Sequence, residues 1–257
     1  MSEIASIRKA CQLLDLLAES EKPRGVSELA VKLGFSKPTV CRILQTLLSH
    51  GYVNQIDGKY SLGIRLLRLG EAYKYQCGLS PIALPYMERL WRETGETIHL
   101  VVRDHLNAYY LEKLESPHPV RMYSRVGEPI CLYSTASGKA ILAFLSPSEL
   151  EYYRSKTPLK KRAPNTITDW NRLMEELSLI RKRGYAIDDI ENEDGIRCVG
   201  SPIFNSAGVV VGAVSVSAPA YRFDMERVKK CGELVYRCAC EISRKLGWRW
   251  ENESGSS

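Results

Sequence analysis

Residues 27–60 read SELAVKLGFSKPTVCRILQTLLSHGYVNQIDGKY and place two short helices, a tight turn and a hairpin in direct succession. Ser27 and Ser36 are candidate N-caps for the two helices, and Gly34 between them supplies the turn. Asp57-Gly58 is a two-residue hairpin signal that follows the second helix. This order predicts a winged helix-turn-helix.

The second helix, which we expect to end near His50, has two chemically different sides. Its apolar residues recur at helical spacing and predict a buried stripe, made of Val40, Ile43, Leu44, Leu47 and Leu48. The other side is polar or basic, and no acidic residue lies between Glu28 and Asp57. Such a surface suits contacts with phosphates, although an ordinary amphipathic helix with a polar solvent side would show the same pattern.

The candidate DNA contacts lie on this helix and on the hairpin. They are Ser36, Lys37, Thr39, Val40, Arg42, Gln45, Thr46 and Lys59. We expect Arg42 to bind a guanine edge, because arginine contacts guanine in a bidentate manner. Lys37 and Lys59 are expected to hold phosphates, which position a protein on DNA without reading its sequence.

Composition supports a nucleic-acid partner for the N-terminal part. The chain has 257 residues, 44% of them hydrophobic, and a net charge of +6. The first 75 residues hold 11 Lys and Arg against 7 Asp and Glu, so most of the excess lies with the helix-turn-helix. No apolar run approaches the length of a bilayer span and the N-terminus does not resemble a signal peptide, so we expect a cytoplasmic protein without a membrane partner.

Neither a cofactor, nor a metal, nor catalysis is expected. The eight cysteines include no Cys-x-x-Cys pair, which disfavours a zinc site and favours small buried thiols in a reducing compartment. The common signatures of hydrolases, zinc proteases and nucleotide-binding loops are also missing from the sequence. We therefore expect no enzymatic activity.

The rest of the chain predicts an α+β protein. A first helix near the N-terminus should pack against the second helix of the helix-turn-helix. Its apolar residues are Ile4, Ile7, Cys11, Leu14 and Leu17. The predicted organisation is a winged helix-turn-helix domain in residues 1–62, a linker and dimerisation helix in 63–79, a second domain in 80–250 and a frayed tail in 251–257. Beyond a helix starting at Ser80-Pro81, the second domain should contain strands at 97–103, 108–114, 197–204 and 209–217 and helices at 137–145, 170–183 and 224–246, with a mainly antiparallel sheet flanked by helices.

One predicted strand carries a functional signal. Along residues 209–217 one side presents valines, whereas the other presents Ala213, Ser215 and Ser217. Small polar side chains make a poor core but can line a ligand cavity. The open alternative is that the two serines face water.

Several motifs in order resemble the IclR family of bacterial transcriptional regulators. They are Gly34 to Arg42, Gly51-Tyr52-Val53, Tyr60 to Gly63, Ala136 to Ala140, Arg183 to Asp189, Gly195 to Val199 and Ser215 to Pro219. The resemblance implies a winged helix-turn-helix, a connecting helix used in dimerisation and a GAF-like C-terminal domain that binds a small organic effector. It also implies homodimers, or dimers of dimers, on pseudo-palindromic double-stranded operators.

The same resemblance implies an effector pocket. Its residues would be Met122, Ala136, Ser137, Gly138, Asp188, Cys198, Ser215 and Ser217. Amides at a helix start can receive a carboxylate, and Gly138 would let a ligand come close. Asp188, expected in a loop, would accept hydrogen bonds from ligand hydroxyls, or alternatively be a structural acid. Met122 would supply an apolar lid.

Two arginines and two departures from the family pattern complete the prediction. We expect Arg197 to point away from the pocket and form a salt bridge, and Arg125 is an alternative clamp for the ligand. Ile190 and Asp194 stand where the family pattern has an acidic residue and a proline.

We therefore expect a sequence-specific repressor whose operator binding is modulated by a small organic acid or sugar acid. The alternative is a constitutive DNA-binding protein whose C-terminal domain only oligomerises.

Overall fold

Two compact units make up the chain in the computed structural model, which describes residues 3–119 and 124–249. The first unit ends at Gln76 and the second begins at Cys77. None of the described helices is long and apolar enough to cross a membrane.

The first unit is a helix-turn-helix followed by a small sheet. Its elements are α1 (Ala5–Ala18), β1 (Arg24–Gly25), α2 (Val26–Leu33), α3 (Lys37–Ser49), β2 (Val53–Ile56), β3 (Lys59–Leu62) and α4 (Ile64–Cys77). The sheet has the antiparallel order β1-β3-β2, so the predicted hairpin gains a third strand at Arg24–Gly25. Leu13, Leu29 and Leu44 are fully buried in the core of this unit.

The turn of the helix-turn-helix is built as predicted, but its capping differs. Gly34 has a φ of 67°, the left-handed conformation that ends a helix. Ser27 lies inside α2, because this helix begins one residue earlier with Gly25 at its N-cap. Ser36 occupies the N-cap position of α3, yet its hydroxyl contacts Thr39 Oγ1 at 2.9 Å instead of a backbone amide.

Several predicted core positions of the first unit are exposed. In α1, Leu13 and Leu17 are buried, whereas Ile4 is 62% and Ile7 is 58% exposed. Leu48 of α3 is also exposed, and α4, which was predicted as a dimerisation helix and not as core, has no buried residue. The apolar periodicity of these helices therefore exceeds what one copy of the unit can cover.

The second unit contains one five-stranded antiparallel sheet of order β5-β4-β8-β7-β6. Its strands are β4 (Thr97–Asp104), β5 (Asn107–Leu114), β6 (Ala186–Asp189), β7 (Ile196–Phe204) and β8 (Val210–Pro219). Its helices are α5 (Leu79–Thr94), α6 (Ala136–Leu142), α7 (Pro147–Lys156), α8 (Trp170–Arg183) and α9 (Met225–Lys245). The predicted fold class, an α+β protein with a helix-turn-helix and a mainly antiparallel sheet flanked by helices, is confirmed.

Helices cover the sheet on both sides. Ile98, Leu100 and Val214 point to one side and share a core with α5 and α9. The other side packs against α6, in which all seven residues are buried. Because side chains alternate along a strand, residues two apart on β4, β7 and β8 face α6 together.

Two local predictions for this unit need correction, and one helix was not predicted. Asp188 was expected in a loop and lies on β6, where pairing with β7 overrides the low strand propensity of aspartate. Ser80 lies inside α5 instead of capping it, and its hydroxyl donates to Glu112 at 2.6 Å. The unpredicted α7 begins with a capping box formed by Ser146 and Glu149.

The start of α6 lies close to the sheet at Gly200, and we predict that Gly200→Ala destabilises the second unit. A Cβ there would lie 2.9 Å from Ser137 N and 3.0 Å from Ala136 C, so the rigid backbone of α6 would have to move. The expected loss in the free energy of unfolding is about 1–3 kcal/mol, measured by chemical denaturation. Gly70→Ala in α4 is the matched control, because an added Cβ meets nothing within 4 Å there. It should be neutral or slightly stabilising, and equal stability of both variants would contradict this account of α6.

Candidate functional site

The first candidate surface is the polar side of α3. Lys37, Arg42, Gln45 and Thr46 are exposed, and Thr39 is half-buried. The Thr46 hydroxyl donates to the Arg42 carbonyl at 3.0 Å. Among the described residues, neither Lys37 nor Arg42 forms an ion pair or a side-chain hydrogen bond, so both cations are available for phosphates or bases.

The hairpin of β2 and β3 presents a further cation beside an exposed tip. Ile56 pairs with Lys59, and the two residues between them, Asp57 and Gly58, have φ values of 50° and 71°. These values correspond to the tight turn favoured by Asp-Gly, which agrees with the sequence signal. Lys59 is exposed at the start of β3.

Val40 does not belong to this surface. Its side chain is 0% exposed and packs in the core of the first unit with Leu29 and Leu44. The apolar stripe that identified the buried side of α3 already contained Val40, and burial removes its side chain from contact with DNA. Its role is to fix α3 against α2.

The second candidate site lies on the side of the sheet that faces α6. Asp188, Cys198 and Ser217 are registered neighbours across β6, β7 and β8. Ser215 pairs with His99 on β4 one row away. These residues form what we call the polar sheet face: Asp188, Cys198, Ser215, Ser217 and His99. Every one of them is at least nine-tenths buried, so the two serines do not face water.

The start of α6 packs against this face. Ala136 is 1% exposed and shares a small apolar cluster with Cys198, and Ser137 is 4% exposed. The Gly138 amide already donates to Thr135 Oγ1 at 3.0 Å, and a Cβ at Gly138 would lie 2.4 Å from Leu132 Cα. Gly138 therefore permits close packing within the chain, and its use for the approach of a ligand stays a prediction. Met122 lies outside the described residues.

The Asp188 carboxyl group stabilises a turn and is also able to hydrogen-bond to a ligand. Its Oδ1 accepts the amides of Glu191 at 2.7 Å and Asn192 at 3.3 Å, and thus closes the turn after β6. Burial, with a contribution from the nearby Glu191, raises the pKa of Asp188 from 3.8 to about 7. Near neutral pH its carboxyl group is therefore partly protonated, and can donate a hydrogen bond to an acidic ligand or accept one from a hydroxyl.

A buried ion pair next to Asp188 was missed by the sequence reasoning. Lys139 on α6 is 0% exposed, and its Nζ lies 2.5 Å from Glu191 Oε1. Glu191 Oε2 is buried and has no hydrogen-bond partner among the described residues. Burial raises the pKa of Glu191, and the ammonium of Lys139 opposes this shift. A lysine in a helix that is buried on every side must find an acid, which is the signal that could have revealed the pair.

Two more residues of the site come from the β4–β5 hairpin. The rings of His99 and Tyr110 lie 4.7 Å apart. Burial raises the pKa of Tyr110, and the neighbouring Cys198 and Asp188 add to this shift, so the phenol lies near the polar sheet face. The sequence could not reveal either residue, because nothing in it pairs β4 with β8.

The predicted roles of the two arginines can now be compared with the structure. Arg197 lies 2.7 Å from Asp189 Oδ1 and donates to the Phe223 carbonyl at 2.5 Å. It is thus a salt-bridging residue, as expected. The Arg125 amide donates to Glu128 Oε2 at 3.2 Å, and the use of this residue as a clamp stays a prediction.

Both units match known proteins. The model of the IclR helix-turn-helix domain matches residues 6–57, and that of the bacterial transcriptional regulator IclR C-terminal domain matches residues 72–244. The HTH-type transcriptional regulator KdgR of Escherichia coli is 37% identical over 248 residues, which cover 95% of this chain and 94% of KdgR. The regulator XynR of the same organism is 33% identical, with coverage of 96% and 99%. This chain belongs to the IclR family.

Solved structures of IclR proteins also resemble this chain. The IclR of Thermotoga maritima has a TM-score of 0.81 and 38% identity, covering 96% of this chain and 100% of that one. An IclR homologue of Microbacterium hydrocarbonoxydans, solved in complex with 4-hydroxybenzoate, has a TM-score of 0.84 and 26% identity, with coverage of 94% and 99%. As an IclR protein, the chain is a DNA-binding transcriptional regulator and not an enzyme.

Asp188→Asn should change how stability depends on pH. Because the folded-state pKa of about 7 exceeds the ordinary 3.8, the folded protein holds an extra proton between these values. The stability that this proton contributes is fully present below pH 3.8 and is lost as the pH rises through 7. Asparagine keeps the oxygen that accepts the two amides but cannot ionise. The free energy of unfolding of the variant, compared with that of the unsubstituted protein, should therefore rise by about 2–3 kcal/mol as the pH is raised from 5 to 8.

Denaturant titrations at several pH values measure this gain. Asp57→Asn, at the exposed hairpin tip, is the control and should follow the unsubstituted protein. Parallel pH profiles for Asp188→Asn and the unsubstituted protein would show that the carboxyl group ionises freely in the folded state.

Proposed function

We propose that this IclR protein is a sequence-specific repressor, acting in the cytoplasm where the chromosome lies, whose operator affinity is set by a small organic acid or sugar acid. The observation that carries the proposal is the polar sheet face. Burying hydroxyl and carboxyl groups costs free energy unless they are hydrogen-bonded, so a buried face of such groups is suited to a ligand that hydrogen-bonds to it.

The chemistry of this face favours an acid that also carries hydroxyl or carbonyl groups. The hydroxyls of Ser215 and Ser217 can both donate and accept, and the partly protonated Asp188 can donate to a carboxylate. The Microbacterium relative, solved with 4-hydroxybenzoate, supports a ligand of this general kind, because that molecule joins a carboxylate to a hydroxyl.

A homodimer is the proposed DNA-binding form, with a dimer of dimers as the further assembly. Ile64, Leu67 and Tyr75 of α4 are 73%, 60% and 81% exposed, and exposed apolar surface of this extent marks an interaction site. A second copy would cover it and place two α3 helices on a pseudo-palindromic operator.

Effector binding and operator binding must influence each other equally. If an effector changes operator affinity by a given factor, operator DNA changes effector affinity by the same factor, which is typically about 5 to 150. Identical effector affinity with and without operator DNA would exclude this coupling.

The second candidate is a constitutive DNA-binding protein whose C-terminal domain only oligomerises. Such a domain needs a stable core and an apolar interface, and a buried polar face adds nothing to either. Unchanged melting temperature and operator affinity across a broad set of metabolites would favour this alternative.

A thermal-shift screen of central and sugar-acid metabolites should identify the effector class. A ligand at about one hundred times its dissociation constant adds about 2.7 kcal/mol to the stability of the folded state. The active acid should also change retardation of the upstream promoter fragment in a gel. Ser217→Ala should weaken both responses, and identical responses in this variant would show that the acid binds elsewhere.

Arg42→Ala and Lys59→Ala should affect DNA binding in different ways. Loss of a guanine contact by Arg42 should cost about 1–3 kcal/mol and relax specificity at one base position. Loss of a phosphate contact by Lys59 should weaken all sequences alike and reduce the salt slope by about 1. Fluorescence anisotropy with operator and random duplexes at several salt concentrations measures both effects. Equal losses on the two duplexes for Arg42→Ala would show that Arg42 holds a phosphate.

A further inference from the structure

A chain of hydrogen-bonding side chains crosses the sheet from the polar sheet face to Ser124. Ser217 Oγ lies 3.4 Å from His99 Nδ1, and His99 Nε2 lies 2.8 Å from Ser124 Oγ. At the far end, Lys113 Nζ donates to the Ser124 carbonyl at 3.0 Å. At the near end, Cys198 is the register partner of Ser217 across β7 and β8. His99 thus lies between the two serines and contacts both.

The surroundings of His99 fix its ring. It is 1% exposed, and the ring of Tyr110 packs on it at 4.7 Å. Burial, together with the positive charge of Lys113, lowers the pKa of His99 to about 3. At physiological pH the imidazole is therefore uncharged, with one nitrogen that donates and one that accepts.

The geometry points to His99 as a positioning residue of the effector site: it orients the Ser217 hydroxyl toward the ligand and holds the Ser124 hydroxyl on its other side. This inference rests on the proposed effector function, because it assigns Ser217 to ligand binding. His99 itself need not touch the ligand, since both of its nitrogens already have serine partners.

The two tautomers of His99 present different groups to a ligand. When Nδ1 carries the proton, it donates to Ser217, and the Ser217 hydroxyl can then donate to a ligand carboxylate. When Nε2 carries the proton, it donates to Ser124, and the Ser217 hydroxyl is used by Nδ1, which leaves only its lone pairs for a ligand hydroxyl. An acid at Ser217 therefore selects the Nδ1-protonated form, and the same choice reverses the hydrogen bond to Ser124.

Two substitutions separate the two contacts. The amide of His99→Asn takes the place of Nδ1 and can keep the Ser217 contact, whereas that of His99→Gln takes the place of Nε2 and can keep the Ser124 contact. His99→Phe retains a ring beside Tyr110 and removes both contacts. Affinities for pyruvate and gluconate, as short-acid and sugar-acid probes, are measured by calorimetry. Amide hydrogen exchange over residues 124–127 is measured on the same full-length proteins.

The expected result is a crossed pattern. His99→Asn should bind the acids nearly as the unsubstituted protein does but exchange faster at 124–127, whereas His99→Gln should keep its exchange rates and bind about tenfold more weakly. His99→Phe should show both defects. A residue that only fills space would change affinity and exchange together in all three variants, and that outcome, or no change in any variant, would overturn the inference.

Nitrogen NMR of the histidine rings tests the same assignment without a ligand. His50, His105 and His118 are exposed, and the His99 signals are those missing from His99→Phe. Ser217→Ala should shift the Nδ1 signal and Ser124→Ala the Nε2 signal, and unmoved signals would refute the contacts. If neither acid binds, the thermal-shift screen decides the effector class, while the ring signals and the exchange pattern still decide the role of His99.

Discussion

The buried ion pair between Lys139 and Glu191 is the interaction on which the second unit depends. Because α6 lies directly on the sheet with every residue buried, the Lys139 ammonium has no access to water. Removing one partner of such a pair leaves an uncompensated charge and costs about 3–5 kcal/mol. The pair therefore connects α6 to the turn after β6. The amides of this turn donate to the Asp188 carboxylate and hold it in place. Ile190 in the same turn has a φ of 58°, which is strained for a β-branched residue and persists only because its surroundings hold it.

The functional polar groups are exposed in the first unit and buried in the second. In the first unit the cations of α3 and the hairpin are exposed and lack protein partners among the described residues, as a surface that meets DNA phosphates requires. In the second unit the polar groups are buried on a sheet, where each hydrogen bond counts for more because water is excluded. A regulator needs both arrangements, since one surface must bind a polyanion of many charges and the other must distinguish one small molecule from others.

The sequence predicted what depends on local chemistry. The turn at Gly34, the Asp-Gly hairpin and the helix end at Gly184 follow from backbone conformations that few residues adopt. The family motifs led to Asp188, Cys198 and the two serines, which the structure brings onto one side of the sheet. What depends on strand pairing was missed: β6 has a sequence of low strand propensity, and His99 meets Ser217 only because β4 lies beside β8. Ile4 and Ile7 of the first helix were misassigned because periodicity indicates which side is apolar but not whether this chain or a second copy covers it.

The ionisable groups of the polar sheet face are shifted toward their uncharged forms. Burial raises the pKa of Asp188 to about 7, raises that of the Cys198 thiol and lowers that of His99 to about 3. A face built this way attracts an anion only weakly by charge, so it must recognise a ligand through the direction of its hydrogen bonds. Directional recognition rejects a molecule that presents a donor where an acceptor is needed, because the buried partner is then left unsatisfied. The direction of the hydrogen bond at Ser217 is coupled through His99 to the direction of the hydrogen bond at Ser124. The hydrogen bonds that select the ligand can therefore also transmit the effect of its binding to Ser124.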